Sequence, residues 1–297
     1  MNKFIGVLCS ALFLFAICSC QSKKDDQKFL LAGSHWNKIV ILDKQAKQIE
    51  WEHSFDESWE CNSAVMTPEK NVLFSYRRGA MLITRDHKQL WNIAAPDSCQ
   101  MQTAALLSDG NYLLAWTGHP AVIMEVNSKG EILSKTEYET GISKPGLQFR
   151  QIRKNNHGNY YIPIYSRSEI REITPKGELV KTIKVEGNPF SIMALNNGNY
   201  LVSNGDANCL TEMNLDNGET LHRIGRDDIQ DFVVFFVGQV CRSANGGLYV
   251  TNWQGHDKKS REANSPQLYE LDKDGKVVWS LNDKTNIGML TSVQVIE

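Results

Sequence analysis

The chain has 297 residues, with 32 Lys and Arg against 34 Asp and Glu and a formal net charge of −2 at pH 7. A charge so near balance leaves no cationic surplus to neutralise a phosphate backbone, which excludes nucleic acid as the expected partner. One long apolar stretch occurs, at the N-terminus, and no second one follows it.

That stretch follows Lys3 and runs from Phe4 to Ile17, fourteen residues. A bilayer-spanning helix needs roughly twenty, so the run fits the apolar core of a secretory signal instead. It ends in Ile17-Cys18-Ser19-Cys20, which resembles the bacterial lipobox, with Cys18 where alanine, serine or threonine is more usual. The resemblance implies cleavage before Cys20 and lipidation of Cys20, with palmitate among its acyl chains. An ordinary signal peptide cleaved nearby is the alternative. On this reading residues 1–19 are the signal peptide, 20–27 a lipidated tether and 28–297 the folded domain. The segment Gln21-Ser22-Lys23-Lys24-Asp25-Asp26 looks like the acid-containing export signal of Bacteroidetes lipoproteins, and a generic solvated linker is the competing reading. The resemblance implies an outer-membrane lipoprotein facing the periplasm or the cell surface. Several acyl chains, each contributing about 0.8 kcal/mol per buried methylene, would anchor it stably.

Beyond the tether the chain repeats itself. The clearest copies are Leu107-Ser-Asp-Gly-Asn-Tyr-Leu-Leu114, Asn155-Asn-His-Gly-Asn-Tyr-Tyr-Ile162 and Leu195-Asn-Asn-Gly-Asn-Tyr-Leu-Val202, with weaker ones at 67–74 and 243–250. The aligned positions Asn71, Asn111, Asn159, Asn199 and Gly247 are spaced 40, 48, 40 and 48 residues apart, the period of four-stranded propeller blades. Each repeat reads as an apolar first strand, an Asn-Gly or Asp-Gly turn, a second strand rich in β-formers and a third strand such as Ile123-Met-Glu-Val126. A second turn follows at Gly130, Gly177, Gly218 or Gly275, then a fourth strand that carries Trp51, Trp91 or Trp279. The turns predict two-residue hairpins, because glycine and asparagine tolerate positive φ.

The first repeat lacks its first strand: Lys28–Gly33, Lys38–Asp43 and Gln48–Trp51 read as second, third and fourth. The segment Thr291–Ile296 matches the missing one, and pairing it with the first blade would close the ring and remove exposed edges. The sequence therefore predicts an all-β, six-bladed propeller with blade one built from both ends. The glutamates Glu125, Glu172, Glu212 and Glu270 recur at one repeat position, which points to a structural, blade-to-blade role rather than to an acid–base pair. Cys61, Cys99, Cys209 and Cys241 fit no metal-ribbon spacing and are either disulfide-bonded or buried thiols. The turn residues Asp272 and Asp274 lack the remaining ligands of an EF-hand loop. No phosphate-binding glycine loop and no G-x-S-x-G nucleophile elbow occurs.

In such a ring the loops from second to third strand share one face with the loops between blades. They place His35, Trp36, Arg77, Arg78, Trp116, His119, Arg167, Asn204, Asp206, Trp253 and His256 at the channel mouth. Aromatic faces stack on sugar rings, and guanidinium forks pair with carboxylates or sulfates. Simple exposed loops, with tryptophans packed between blades, are the bland alternative. His35, His119 and His256 come from blades one, three and six, but no carboxylate cluster accompanies them, so neither a metal nor another cofactor is expected.

The Asn-Gly-Asn-Tyr-Leu and Gly-Glu-x-Val segments resemble the broad quinoprotein-like and NHL-like propeller group, whose members bind glycans or proteins or catalyse diverse reactions. Leu107–Leu114 also looks like repeats of bacterial arylsulfotransferases, a likeness that would cast His119, His256 and Arg167 in sulfate-transfer roles. The leading expectation is a non-catalytic binding or interaction module, monomeric, held at the membrane by its lipid and recognising glycans or protein partners. The runner-up is an enzyme on polysaccharide or a sulfated or uronic substrate at the channel mouth, arylsulfotransferase-like or a glycan lyase or hydrolase.

Overall fold

The structure is a computed structural model in which residues 27–55 and 60–296 are described. The proposed signal peptide, Cys20 and most of the tether lie outside the described residues. Six antiparallel four-stranded sheets account for the fold. Their first strands are Ser63–Met66, Gln100–Leu106, Arg153–Lys154, Ser191–Ala194 and Val237–Arg242 in blades two to six, and Met289–Ile296 in blade one. The expected closure is present: Lys28 faces Ile296, and the pairing runs on to Ser34 opposite Met289 with one irregularity after Ala32.

Burial explains why each strand type reads as it does in the sequence. Second and third strands lie between neighbouring blades, so Val72–Tyr76 and Glu169–Ile173 are buried at every position. Outermost strands show one face to water, and Gln48–Ser54 alternates between exposed and half-buried residues. The first hairpins differ from the expected two-residue form. Leu107 N–H donates to Asn111 O and Gly110 N–H to Leu107 O, with Gly110 at φ +85°. This is a three-residue loop whose last residue takes the left-handed conformation. The same bonds join Thr67, Lys70 and Asn71 in blade two, with Lys70 at φ +64°.

The first strands are stitched to one another around the axis by side chains. Ser63 Oγ donates to Ala104 O (2.6 Å), and Thr103 Oγ1 donates to Arg150 O and accepts from Ile152 N–H. Arg153 Nε donates to Ile192 O and Ser191 Oγ to Gly238 O. Gln239 Oε1 accepts from Val293 N–H, and Thr291 Oγ1 donates to Cys61 O, which returns the circuit to blade two. Every seam therefore carries at least one buried or partly buried hydrogen bond between backbone and side chain.

The fourth-strand tryptophans bridge blades on the outside. Trp51 stacks on His87 of the next blade with ring centroids 5.3 Å apart, and its Nε1–H donates to Arg85 O (2.7 Å). Trp91 likewise donates to Ser128 O beside Gly130, and Trp279 lies under Lys47 Nζ of blade one (5.5 Å). The repeated glutamates divide their work. Glu172 and Glu212 accept from the asparagines of their own first hairpin, Asn155 and Asn159, and Asn197 and Asn199. Glu125 reaches across to Tyr160 and Lys154 of blade four, and Glu270 pairs with Lys44 of blade one (2.9 Å) while accepting from Ser243. The blade-to-blade role thus holds for two of the four, and hairpin capping explains the others.

Cys61, Cys99, Cys209 and Cys241 are all free thiols. Burial pushes the Cys61 and Cys241 thiols up to about 12 and Cys209 to about 11, so these three stay protonated and inert.

Candidate functional site

The face that carries the loops between second and third strands also carries the blade-to-blade loops, and three blades meet there. The side chain of Asp206 lies in blade five's loop, where Gly205 takes φ +44° and leaves no room for a Cβ against Asn188 O. Asp206 Oδ1 contacts His256 Nε2 of blade six at 2.5 Å, and Asp206 Oδ2 accepts from Tyr165 OH of blade four at 3.3 Å. Both members of the Asp206–His256 pair remain well exposed, at 38% and 44% of their side-chain surfaces. Tyr165 is pushed up to about 12, first by burial and then by the Asp206 carboxylate, so it is a hydrogen-bond donor at neutral pH.

Aromatic rings frame this triad. Trp253 meets the His256 ring edge-on at 4.7 Å, and both rest on buried Phe236, at 5.4 and 5.7 Å. Trp253 Nε1–H donates to Ser34 Oγ (2.7 Å), which carries the wall round to blade one. On the axial side the Arg150 guanidinium lies 4.7 Å from the Tyr165 ring centre, its Nη1 donates to Gly146 O and Phe149 O, and its Nε is 3.7 Å from Glu60. Beneath Arg150 buried amides cross the channel end. Gln151 Nε2 donates to Asn62 O (2.5 Å), and Asn62 Nδ2 to Gln102 Oε1 (2.5 Å), joining blades four, two and three. Asn62 Oδ1 has no partner there.

The other sequence-predicted residues lie apart from this cluster. His119 and Arg167 both hold the long insert between blades three and four. His119 Nε2 contacts Ser143 O (2.9 Å), its Nδ1 lies 3.5 Å from Glu139, and Arg167 Nη2 donates to Gly141 O (2.9 Å). The bond to Ser143, aided by Glu139, raises His119 above the ordinary histidine value. Arg77 and Arg78 are exposed in blade two's loop, where their carbonyls accept from Met101 and Ala95. His35 is exposed at φ +51°, and Trp36 packs on the core beside Gly288. Trp116 packs against the core of blades two and three. Asn204 is fully buried, donates to Thr211 Oγ1 (2.9 Å) and leaves its Oδ1 unpartnered.

Sequence reading missed Arg150, Gln151, Asn62, Gln102 and Phe236 at this end. Their signal was position alone, since each sits just before or just inside a first strand. Among the described residues no group of three or more His, Cys, Asp or Glu converges to hold a metal, so His35, His119 and His256 do not form one.

The class defined by this fold and mouth is a six-bladed propeller with a polar, aromatic-walled opening at one end. Within that class the chain belongs to the Mal s 1 allergenic protein-like family, whose model matches residues 26–276. A crystal structure of a protein of unknown function from Bacteroides caccae matches with a TM-score of 0.88 at 51% identity, covering 91% of this chain and 99% of that one. A streptogramin B lyase matches with a TM-score of 0.59 at 15% identity, over 88% of this chain and 85% of that one. A catalytically inactive histidine-to-alanine virginiamycin B lyase from Staphylococcus aureus, solved with quinupristin, gives 0.58 at 14% identity, over 87% and 86%. At such identities the lyases share the fold alone. Comparison with curated proteins returns no match.

Proposed function

We propose that this protein is a lipid-anchored propeller of the cell envelope that binds a glycan at its channel mouth. The observation that carries this reading is the cluster of Tyr165, Asp206, Trp253 and His256 from three blades. Its two part-exposed aromatic rings offer apolar faces to a sugar. The carboxylate, the imidazole and the Arg150 guanidinium beside them supply acceptors and donors for hydroxyl or carboxylate groups. The path of the chain supports the anchored reading. Ser34 lies at the mouth, bonded to Trp253, so Lys28 at the other end of the same strand stands on the opposite face. A lipid on Cys20 would enter the fold from that side and leave the mouth pointing away from the membrane.

The test is a glycan-array screen of the purified chain, followed by affinity measurements on variants. Tyr165→Ala and Trp253→Ala are expected to weaken a captured glycan at least about tenfold, since stacked aromatic anchors dominate such sites. Arg77→Ala, Trp116→Ala and His119→Ala, lying outside the cluster, should change it by less than about twofold. Absence of any glycan ligand, or equal behaviour of both sets, would overturn the reading.

One observation favours the second reading, catalysis at the mouth: the short Asp206–His256 contact, in which a carboxylate orients an exposed imidazole as in general-base pairs. Turnover of a polysaccharide that vanishes in His256→Ala while binding persists would establish it. His119 and Arg167 are engaged by the insert rather than by His256, so an arylsulfotransferase-like arrangement of the three gains no support from their contacts.

A further inference from the structure

A cavity of about 470 Å³ opens on the hairpin face, opposite the mouth, between the first hairpins of blades three and four. Ser108, Asp109, Arg153, Lys154 and Asn156 line it, and it reaches Ala194 of blade five. Arg153 stands six residues before Asn159 in the repeat, and the same position holds Val65, Ala105, Met193 and Cys241 in four other blades. Those four side chains pack on the apolar clusters of their seams. The fold therefore accepts an apolar side chain at this position and does not by itself call for a guanidinium.

The guanidinium is short of partners. Its Nε donates to Ile192 O (3.0 Å), which is the seam bond, and among the described residues Nη1 and Nη2 make no hydrogen bond and no acidic group pairs with them. Neither nitrogen is shut off from solvent. A guanidinium carries five N–H donors, so the seam bond uses one and leaves the four of the Nη fork. The neighbouring charges are already committed. Lys154 Nζ pairs with Glu125 at 2.5 Å, and the exposed Asp109 accepts from Asn111 N–H in its own turn (3.0 Å). Burial pulls Arg153 below the ordinary arginine value, against a smaller upward pull from Tyr200, and the group stays charged. A cation taken partly out of water without a carboxylate is costly unless an anion reaches it.

The geometry points to an oxyanion site, for a phosphate or sulfate group, built on the Nη fork of Arg153. Two parallel N–H donors match two oxygens of such a group. Ser108 and Asn156, at the exposed rim of the cavity, make no side-chain bond among the described residues and offer a hydroxyl and an amide to the remaining oxygens. The site is separate from the mouth and does not depend on what the mouth binds.

The experiment titrates the purified chain with inorganic phosphate and, separately, with sulfate by isothermal calorimetry at fixed ionic strength in chloride, and follows thermal unfolding in parallel. The wild-type chain should show one saturable site for either ion, with a rise in Tm that saturates as the ion is added. Arg153→Met places the side chain that blade five carries at this position, so it should fold and melt cooperatively, yet bind at least about tenfold more weakly. Both ions also stabilise proteins in general by exclusion from their surfaces. That part of the rise should persist in the variant, and only the saturable part should vanish. Arg153→Lys keeps the charge without the fork and gives a second reading should the methionine variant fold poorly; it should bind at least about threefold more weakly. Binding as tight in both variants as in the wild type, or no saturable binding by the wild type, overturns the assignment.

Discussion

The buried charges are where single side chains decide stability. Glu169 is 5% exposed and is held by Arg171 at 2.7 Å and Lys184 at 2.8 Å, and Arg171 is itself 8% exposed. Burial pushes the Glu169 carboxyl upward, but the bonds from Lys184 and Arg171 outweigh it and leave the group below its ordinary 4.5. A depressed carboxylate contributes stability that is fully present above the unfolded value and is lost as pH falls through the folded one. Urea unfolding should therefore show stability declining as pH drops below about 4.5. Glu169→Gln should cost about 3 kcal/mol at pH 7, because Arg171 stays buried without its carboxylate. It should also flatten part of the acid limb; an unchanged acid limb in that variant would assign the pH dependence elsewhere. None of this was legible in sequence, where Glu169 and Arg171 read simply as alternate residues of a third strand. Their partners Tyr138 and Thr140 belong to the preceding blade and its connecting loop.

At the scale of elements, the decisive strand is the last one. Met289–Ile296 lies against Lys28–Ser34 on one side and the first strand of blade two on the other. Ser292 Oγ accepts from Ala64 N–H and Gln294 Oε1 from Met66 N–H. Removing residues 291–297 would open the ring and unpair both neighbours at once. The expected outcome in thermal unfolding is loss of the single cooperative transition, with a lower and broader melt. A truncated chain that melts like the full one would refute closure as the source of stability. This element was legible because its Thr-Ser-Val pattern matched other first strands. The three-residue hairpins were not, since Gly110 at φ +85° serves a two-residue and a three-residue loop equally well in sequence.

At the scale of the whole molecule, the two faces of the ring differ in what they carry. One face holds the mouth cluster; the other holds the tight hairpins and the point where the chain enters at Gln27, whose carbonyl accepts from Lys44 N–H. Anchored through Cys20, the chain would present the hairpin face to the membrane. With the lipidated chain on liposomes, a bulky maleimide should label Arg77→Cys at the mouth faster than Lys176→Cys in a hairpin turn. In the Cys20→Ala chain, free in solution, that difference should disappear. Equal labelling on liposomes would reject the orientation.

The sequence by itself determined the architecture. Blade number, strand order and closure follow from period, turn residues and apolar patterning, all of which are local and repeat six times. The tertiary structure decided what the mouth contains. Tyr165, Asp206 and His256 are 41 and 50 residues apart, and nothing in their local context sets them above His119 or Arg167. Only the ring curvature, set by how blades pack, brings those three together and leaves the other two bound to an insert. The same packing placed His53 against His87 across a seam, although each sits in a strand or turn whose pattern alone would call for nothing more than a surface residue.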